Sequence, residues 1–417
     1  MKTAGIIVEY NPFHNGHKYH IEKTRELTGC DYLIAVMSGN YTQRGVPAIT
    51  DKYIRTEMAL KNGADLVLEL PLFYSTGSAE YFAMGAVSLL DKLGVVDSLC
   101  FGSECGDTRI LSEIASVLSE EPALYRNVLQ DGLKKGLSYP KARSAALTAC
   151  FPSSSYTRAI SSPNNILGIE YIKAIGKRKS SIRPCTIRRE GAGYHDEFLF
   201  PDSLDDPAPK SSASAIRQSI DTSEGLLPVK GHVPDTVYEL LKASYLKSFP
   251  VKSNDFSLLL KYKLLLEEKK GYTEYVDVHP DLSDKIKKNI YDYDNFEQFC
   301  ELLKSKDMTY SRISRCLLHI LLDMKKEEFT HYIKNDYICY ARILGFKKEA
   351  NELLHEMRNH TSVPLISKLA DASSLLNEAG HSMLLKEIQA SHIYDAVISG
   401  KFHTAFTNEY SKRMVIL

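Results

Sequence analysis

The chain has 417 residues, enough for two or three domains with a sizeable core, and its 52 Lys and Arg balance its 52 Asp and Glu. A formal net charge of zero excludes a small, globally basic nucleic-acid binder, although a local basic patch would suffice for such binding. The sequence contains no apolar run of membrane-spanning length, no signal-peptide pattern and no C-x-x-C pair among its eight cysteines. These features predict a cytoplasmic protein with reduced cysteines and no membrane segment.

The first half of the chain alternates strand and helix patterns. Apolar runs predict five strands, at residues 3–11, 32–38, 66–70, 98–102 and 181–189. Helical spacing between them indicates an α/β fold, in which residues 1–225 form a Rossmann-like domain with a parallel sheet. Residues 121–160 are predicted to be a helical insertion. The alternation stops beyond the first domain, so residues 226–417 are predicted to form an all-helical C-terminal domain.

The end of the first predicted strand carries the most informative pattern, the run NPFHNGH from Asn11 to His17. Proline cannot donate to a strand ladder, so we expect the strand to end there and a helix to follow. His14 and His17 then lie on a strand-to-helix turn, where backbone N–H groups and the helix dipole attract anions. Gly16 would let the backbone approach a phosphate. The pattern favours a nucleotide site in which both imidazoles stabilise charge at the α-phosphate. The alternatives are a metal site with His14, His17 and His20 as ligands, or a solvated turn.

Polar residues also follow the other predicted strands, at the sheet edge where ligands of parallel sheets bind. Ser38, Asn40, Gln43 and Arg44 follow the second strand and are candidates for a substrate pocket, with an ordinary turn as the alternative. Gly102 ends the fourth strand and would leave room for an adenine ring or a ribose.

Three further segments contain candidates for contacts with a nucleotide. Asn165 lies in the first turn of a predicted helix, where asparagine is a poor helix former, and Ser162 is placed to cap that helix. Arg188 and Arg189 end the fifth strand and suit phosphates, although a solvated basic strand end is equally compatible. Small residues open the helix that carries Arg217, whose guanidinium would neutralise a pyrophosphate leaving group.

Together these residues resemble the superfamily of nucleotidyltransferases and class I aminoacyl-tRNA synthetases, in which an H-x-G-H motif after strand one binds ATP. Within it, the runs EYNPFHNGH, SGNYTQRG, FGSE, SPNNILGIEY, IRREGAGYHD and SASAIR, in this order, closely resemble the bacterial tRNA(Met) cytidine acetate ligases over roughly the first 220 residues. Tyr41-Thr42 stands where Phe-Val is expected, and Ala213-Ser214 where Ala-Thr is expected. Both departures concern only details of the pocket.

The resemblance implies an ATP-dependent ligase that forms acetyl-adenylate and acetylates N4 of the wobble cytidine of elongator tRNA(Met), releasing AMP and pyrophosphate. The substrates of such a ligase would be ATP with Mg²⁺, acetate and the tRNA. The resemblance implies no resident metal site and leaves the oligomeric state open. His14, His17 and Arg217 would be catalytic. The implied ATP contacts are Ile7, Val8, Glu9, Tyr10, Asn11, Pro12, Phe13, His14, Asn15, Gly16, His17, Lys18, Tyr19, His20, Gly102, Asn165, Arg188 and Arg189.

The helical C-terminal half would bind the body of the tRNA. The lysine pairs Lys269-Lys270 and Lys325-Lys326 are the candidates for that contact, with a solvated charged face as the alternative.

Two other classes of protein compete with the ligase. A small-molecule nucleotidyltransferase would use the same histidines but would not need the second half of the chain. A non-catalytic tRNA- or ribosome-binding protein with a relic ATP fold would be expected to have lost some of His14, Gly16, His17 and Arg217. An acetyltransferase dependent on acetyl-CoA would leave the phosphate-directed residues without a role.

Overall fold

A mixed, mainly parallel sheet organises the molecule. The structure is a computed structural model that describes residues 1–189, 199, 209–222 and 225–417. Its strands follow the order β5-β4-β1-β2-β3-β6-β7 across the sheet, and β8 lies beside β6 on the same edge as β7. The strands are β1 (Thr3–Val8), β2 (Tyr32–Ser38), β3 (Leu66–Leu70), β4 (Ser98–Ser103), β5 (Arg183–Arg188), β6 (Ala341–Phe346), β7 (Leu365–Ile366) and β8 (Val415–Ile416).

Helices cover both faces of the sheet. Those in the first half are α1 (Asn15–Thr28), α2 (Lys52–Lys61), α3 (Leu72–Ser75), α4 (Ala79–Lys92), α5 (Thr108–Glu120), α6 (Ala123–Lys134), α7 (Tyr139–Cys150), α8 (Ser154–Ser161), α9 (Pro163–Arg178) and α10 (Ala213–Thr222). Those in the second half are α11 (Asp235–Ser244), α12 (Ser257–Glu267), α13 (Pro280–Asn289), α14 (Phe296–Leu303), α15 (Tyr310–Leu321), α16 (Lys326–Lys334), α17 (Asn351–His360), α18 (Ala372–Leu375) and α19 (Glu378–Phe402). Short 3-10 segments cover Leu227–His232, Ser253–Phe256, Ile290–Asp292, Lys348–Ala350, Leu369–Asp371 and Glu409–Ser411. No helix in the described part of the chain has both the length and the apolar character needed to cross a membrane.

The predicted α/β architecture is confirmed. Residues 121–160 contain α6, α7 and most of α8, and their status as an insertion stays a prediction. The parallel pairing of β1 with β2 sets Val8 beside Met37, so the carboxyl ends of the two strands meet at one edge. In β2, Leu33 and Met37 face one apolar core while Ile34 and Val36 face the other. Both faces of this strand are therefore buried, as expected for a parallel sheet between two layers of helices.

The prediction that helices alone follow residue 226 is wrong at three places. β6 pairs antiparallel with β3, and β7 and β8 pair parallel with β6, so the second half of the chain extends the sheet of the first. β7 and β8 have two residues each, too few for an alternating pattern to appear in the sequence. Gly345 allows the close approach of β8, since a Cβ there would lie 2.6 Å from the Val415 carbonyl oxygen. The domain division at residue 225 stays a prediction.

A buried ionic cluster joins the last residues of the chain to the sheet. The Lys52 Nζ lies 2.7 Å from carboxylate oxygens of both Glu69 and Glu409. Arg342 of β6 contacts the same two carboxylates at 2.9 and 2.7 Å. All four side chains are buried, so each charge is neutralised by the others rather than by water.

Candidate active site

A cavity of about 280 Å³ lies at the carboxyl ends of β1, β2, β4 and β5, beside the N-termini of α1, α9 and α10. This is the sheet edge where the sequence predicted a ligand site. The candidate residues that line it are Ile7, Val8, Glu9, Tyr10, Asn11, His14, Gly16, His17, Tyr19, His20, Gln43, Arg44, Gly102, Arg188, Arg189 and Arg217.

The other candidates are not part of this lining. They are Pro12, Phe13, Asn15, Lys18, Ser38, Asn40 and Asn165. Ser38 and Asn40 are buried, and the Asn40 Oδ1 accepts the Lys52 N–H at 2.9 Å, so Asn40 links the loop after β2 to the start of α2. Asn15 donates through Nδ2 to the carbonyls of Pro209 and Gly231, at 3.2 and 2.8 Å. The end of the IRREGAGYHD run, residues 190–196, lies outside the described residues.

The turn between β1 and α1 begins earlier than predicted, because β1 ends at Val8 and not at Asn11. Tyr10 has φ +51°, a left-handed conformation that is rare for an aromatic residue. Its ring packs against Phe13 and edge-on against His17, with centroids 4.6 and 4.9 Å apart. The Asn11 Oδ1 accepts the backbone N–H of Ile49 at 2.7 Å, which ties the turn to the loop that leads into α2.

His14 and His17 cap the N-terminus of α1 through their own ring nitrogens. The His14 Nδ1 accepts the Gly16 N–H at 3.1 Å, and the His17 Nδ1 accepts the His14 N–H at 3.2 Å. The two rings stack with centroids 3.7 Å apart. Because each Nδ1 is an acceptor, the proton of each neutral imidazole resides on Nε2. The pair therefore supplies two Nε2–H donors at a helix N-terminus.

The electrostatics of the cavity keep the histidines uncharged. Burial, with the nearby positive charges of Arg189 and Arg217, lowers the pKa of His14 to about 3. Burial also lowers the pKa of His17, where His14 and Arg189 add to the effect, and lowers that of His20 to about 4. At neutral pH these groups are donors without charge. The described residues also contain no cluster of three or more His, Cys, Asp or Glu side chains suited to a metal ion.

These lowered pKa values predict acid sensitivity of the fold. The unfolded chain takes up a proton at each histidine near pH 6.5, whereas folded His14 does so only near pH 3. Its contribution to stability is therefore complete above pH 6.5 and is lost as the pH falls towards 3, at roughly 1 kcal/mol per pH unit. We expect urea unfolding at pH 7.5, 6.5 and 5.5 to show a smaller pH slope for His14→Gln than for the wild type. Equal slopes would contradict the burial effect.

Positive charge surrounds the remaining part of the cavity. Arg217 of α10 donates to the Asn11 carbonyl at 2.7 Å and to the Ser214 Oγ at 3.2 Å. Arg44 donates to the same hydroxyl at 3.4 Å, so the loop after β2 and the start of α10 meet there. Arg188 and Arg189 line the cavity from the end of β5. This combination of guanidinium groups and helix N-termini suits a polyphosphate.

Gly16 has a steric role that the sequence did not reveal. A Cβ at this position would lie 2.9 Å from the His14 Cε1 and 3.1 Å from its Nδ1. The glycine thus leaves space for the His14 ring to fold back onto the Gly16 N–H.

We expect Gly16→Ala to displace the His14 ring and to weaken ATP binding roughly tenfold, the effect of losing about 1.4 kcal/mol. Titration calorimetry with ATP measures this directly. Gly176→Ala is the matched control, since a Cβ there meets no atom within 4 Å. Equal affinity of the two variants would contradict the steric role.

Asn165 acts on the loop after β4, whereas its neighbour Asn164 lines the cavity. The buried Asn165 Oδ1 accepts the N–H groups of Glu104 and Cys105 at 2.9 and 3.2 Å. In return the Glu104 carboxylate accepts the N–H groups of Asn164 and Asn165 at 3.2 and 2.9 Å. Glu104 therefore caps α9, and the predicted cap Ser162 instead donates to the Arg158 carbonyl at 2.9 Å.

Arg55 is a supporting residue that sequence reasoning missed. It is fully buried in α2, and its guanidinium donates to the carbonyls of Glu9 (2.6 Å), Ser38 (3.0 Å) and Thr50 (3.1 Å), and to that of Gly39. These bonds hold the carboxyl ends of β1 and β2 together behind the cavity. An arginine on a predicted amphipathic helix gives no sequence signal for such a role, because it is normally exposed.

Of the two lysine pairs proposed to contact RNA, Lys325-Lys326 makes close contacts within the chain itself. The Lys325 Nζ lies 2.5 Å from the Glu274 carboxylate and 3.7 Å from the centre of the Tyr275 ring. The Lys326 Nζ donates to the carbonyls of Thr273 and Val278, at 2.6 and 2.8 Å. This pair stabilises the helical region itself, which weakens its candidacy as a tRNA contact.

The fold and this cavity define a nucleotide-binding α/β protein of the H-x-G-H class, and residues 1–409 match the family described as HIGH Nucleotidyl Transferase. A tRNA(Met) cytidine acetate ligase of Thermoanaerobacter sp. (strain X514) is 44% identical over 395 residues, covering 94% of this chain and 95% of the relative. One of Clostridium perfringens is 41% identical over 401 residues, with coverage of 94% and 95%. The crystal structure of Thermotoga maritima TmcAL bound with alpha-thio ATP superposes with a TM-score of 0.90 at 32% identity, with all of both chains covered. The chain belongs to the family of tRNA(Met) cytidine acetate ligases, as the sequence motifs predicted.

Proposed function

We propose that this protein is an ATP-dependent acetate ligase, which forms acetyl-adenylate and transfers the acetyl group to N4 of the wobble cytidine of elongator tRNA(Met). The observation that carries the proposal is the pair of neutral Nε2–H donors on His14 and His17, set in a cationic cavity. The names of relatives at 41–44% identity over 94% of the chain support the choice of acetate and tRNA(Met).

In the first step, a carboxylate oxygen of acetate attacks the α-phosphorus of ATP and pyrophosphate leaves. Acetate is already ionised at neutral pH, so no base is needed. His14 and His17 donate to the α-phosphate oxygens as negative charge grows in the transition state, and their orientation is fixed in advance by the bonds at Nδ1. Arg217 stabilises the departing pyrophosphate, together with the positive end of the dipole at the start of α10.

In the second step, the cytidine amine attacks the acetyl carbonyl and AMP leaves. The wobble base must leave the stack of the anticodon loop to reach the cavity, as single-stranded bases do in other RNA complexes. The second half of the chain, residues 226–417, is the proposed site of contact with the tRNA.

Mg²⁺ would enter with ATP. Among the described residues that line the cavity, only Glu9 carries a carboxylate. Phosphate oxygens and water would therefore supply most of the ligands of Mg²⁺, which is the usual arrangement for this ion. The eight cysteines are all free thiols, which supports the proposed cytoplasmic location.

The direct test is the exchange of labelled pyrophosphate into ATP, measured with and without acetate and without RNA. We expect exchange that depends on acetate. Exchange that occurs only after tRNA is added would mean that the tRNA completes the site. If no exchange occurs with or without tRNA, the ligase proposal is wrong, and a nucleotidyltransferase acting on another acceptor takes its place.

A further inference from the structure

Glu9 is an anomaly in a cavity otherwise suited to phosphate. It is the one carboxylate among the described residues that line the cavity, where the other charged side chains are arginines and a lysine. A carboxylate opposes the binding of a polyphosphate, because like charges repel at short range. Its presence points to a ligand group that donates hydrogen bonds.

Glu9 is held in place through its side chain and through its backbone. Its Oε1 accepts the Gln43 backbone N–H at 2.7 Å, and its own carbonyl accepts from the buried Arg55 Nη1 at 2.6 Å. Its Oε2 has no hydrogen-bond partner among residues 1–189, 209–222 and 225–417. One oxygen therefore fixes the carboxylate, and the other remains available to accept a bond from a ligand.

We propose that Glu9 accepts a hydrogen bond from the N4 amine of the target cytidine and takes its proton during acetyl transfer. The inference rests on the proposed function. Carboxylates of Glu and Asp are the side-chain groups that accept from cytosine N4. Glu9 lines the same cavity as His14 and His17, so an amine bound to it would share that cavity with the adenylate that those histidines bind.

The chemistry balances without a further reactant. The N4 nitrogen forms a bond to the acetyl carbon, the bond from that carbon to the phosphate oxygen breaks, and AMP leaves. The amine loses one proton, which passes to the Glu9 carboxylate and then to water.

The test compares the two half-reactions in Glu9→Gln, whose amide oxygen can still accept the Gln43 N–H. Acetate-dependent pyrophosphate exchange reports the first step. Mixing enzyme-bound acetyl-adenylate with tRNA in a single turnover reports the second. We expect transfer to fall roughly 10²-fold, at least ten times more than exchange falls. Glu9→Asp, which keeps the carboxylate, should recover part of the transfer rate.

Glu22→Gln is the matched control, because Glu22 is an exposed carboxylate on the neighbouring helix α1. Equal losses in both half-reactions would show that Glu9 serves ATP and would overturn the inference. A Mg²⁺ requirement displaced to higher concentration in Glu9→Gln would overturn it in favour of a metal ligand. An inactive wild type would overturn the proposed function itself, and this inference with it.

Discussion

The substitution His17→Ala is expected to lower acetate-dependent pyrophosphate exchange by roughly 10³-fold, the upper range for removal of one preorganised donor to a transition-state oxyanion. Two losses combine at this position. The alanine removes an Nε2–H donor, and it also removes the ring nitrogen that accepts the His14 N–H at 3.2 Å. The stacked His14 ring, with its centroid 3.7 Å away, then loses the surface that orients it.

Two comparisons separate this effect from a general loss of structure. His355→Ala changes an exposed histidine on α17 and should leave exchange unchanged. Thermal unfolding of His17→Ala should remain cooperative, because the substitution touches one helix terminus. Exchange by His17→Ala within threefold of the wild type would contradict the role of the imidazole.

The largest loss of stability is expected from Lys52→Met. Burial alone would raise the pKa of the Glu409 carboxyl, but Lys52 and Arg342 hold it well below its usual range. Removing the ammonium leaves Arg342 as the close partner of two buried carboxylates, those of Glu69 and Glu409, with the Lys412 Nζ 3.8 Å from the latter. We expect the free energy of unfolding to fall by about 3–5 kcal/mol, as when one partner of a buried ion pair is removed. Urea unfolding at pH 7.5 measures the change.

Lys61→Met is the control on the same helix. Its ammonium lies 2.8 Å from the Glu57 carboxylate, but the pair is partly exposed and one helical turn apart, so its loss should cost about 0.5 kcal/mol or less. Adding Glu409→Gln to Lys52→Met should recover part of the stability, since it removes one of the uncompensated charges. Equal effects of Lys52→Met and Lys61→Met would contradict the account of the buried cluster.

Local patterns were enough to predict the centre of the site. The turn that carries His14, Gly16 and His17 is specified by neighbouring residues and by its place after a buried strand. The positions of Gln43, Gly102 and Arg189 followed from a general property of parallel sheets, which bind ligands at their carboxyl edge.

The features that were missed depend on contacts between distant parts of the chain. Glu104 caps α9 from about 60 residues away, a distance over which helix periodicity carries no information. Lys52 and Arg55 lie on a short amphipathic helix, where charged residues are expected on the surface, yet both are fully buried. β8 is two residues long and exists only because β6 provides an edge for it.

Acetylation of the wobble cytidine is measured directly by incubating the wild-type protein with ATP, labelled acetate and elongator tRNA(Met), and then analysing the nucleosides of the recovered tRNA. We expect ATP-dependent label in N4-acetylcytidine, and none in a transcript whose wobble cytidine is replaced by uridine. Label that appears without ATP, label that persists in the uridine transcript, or a folded protein that transfers no label would each contradict it.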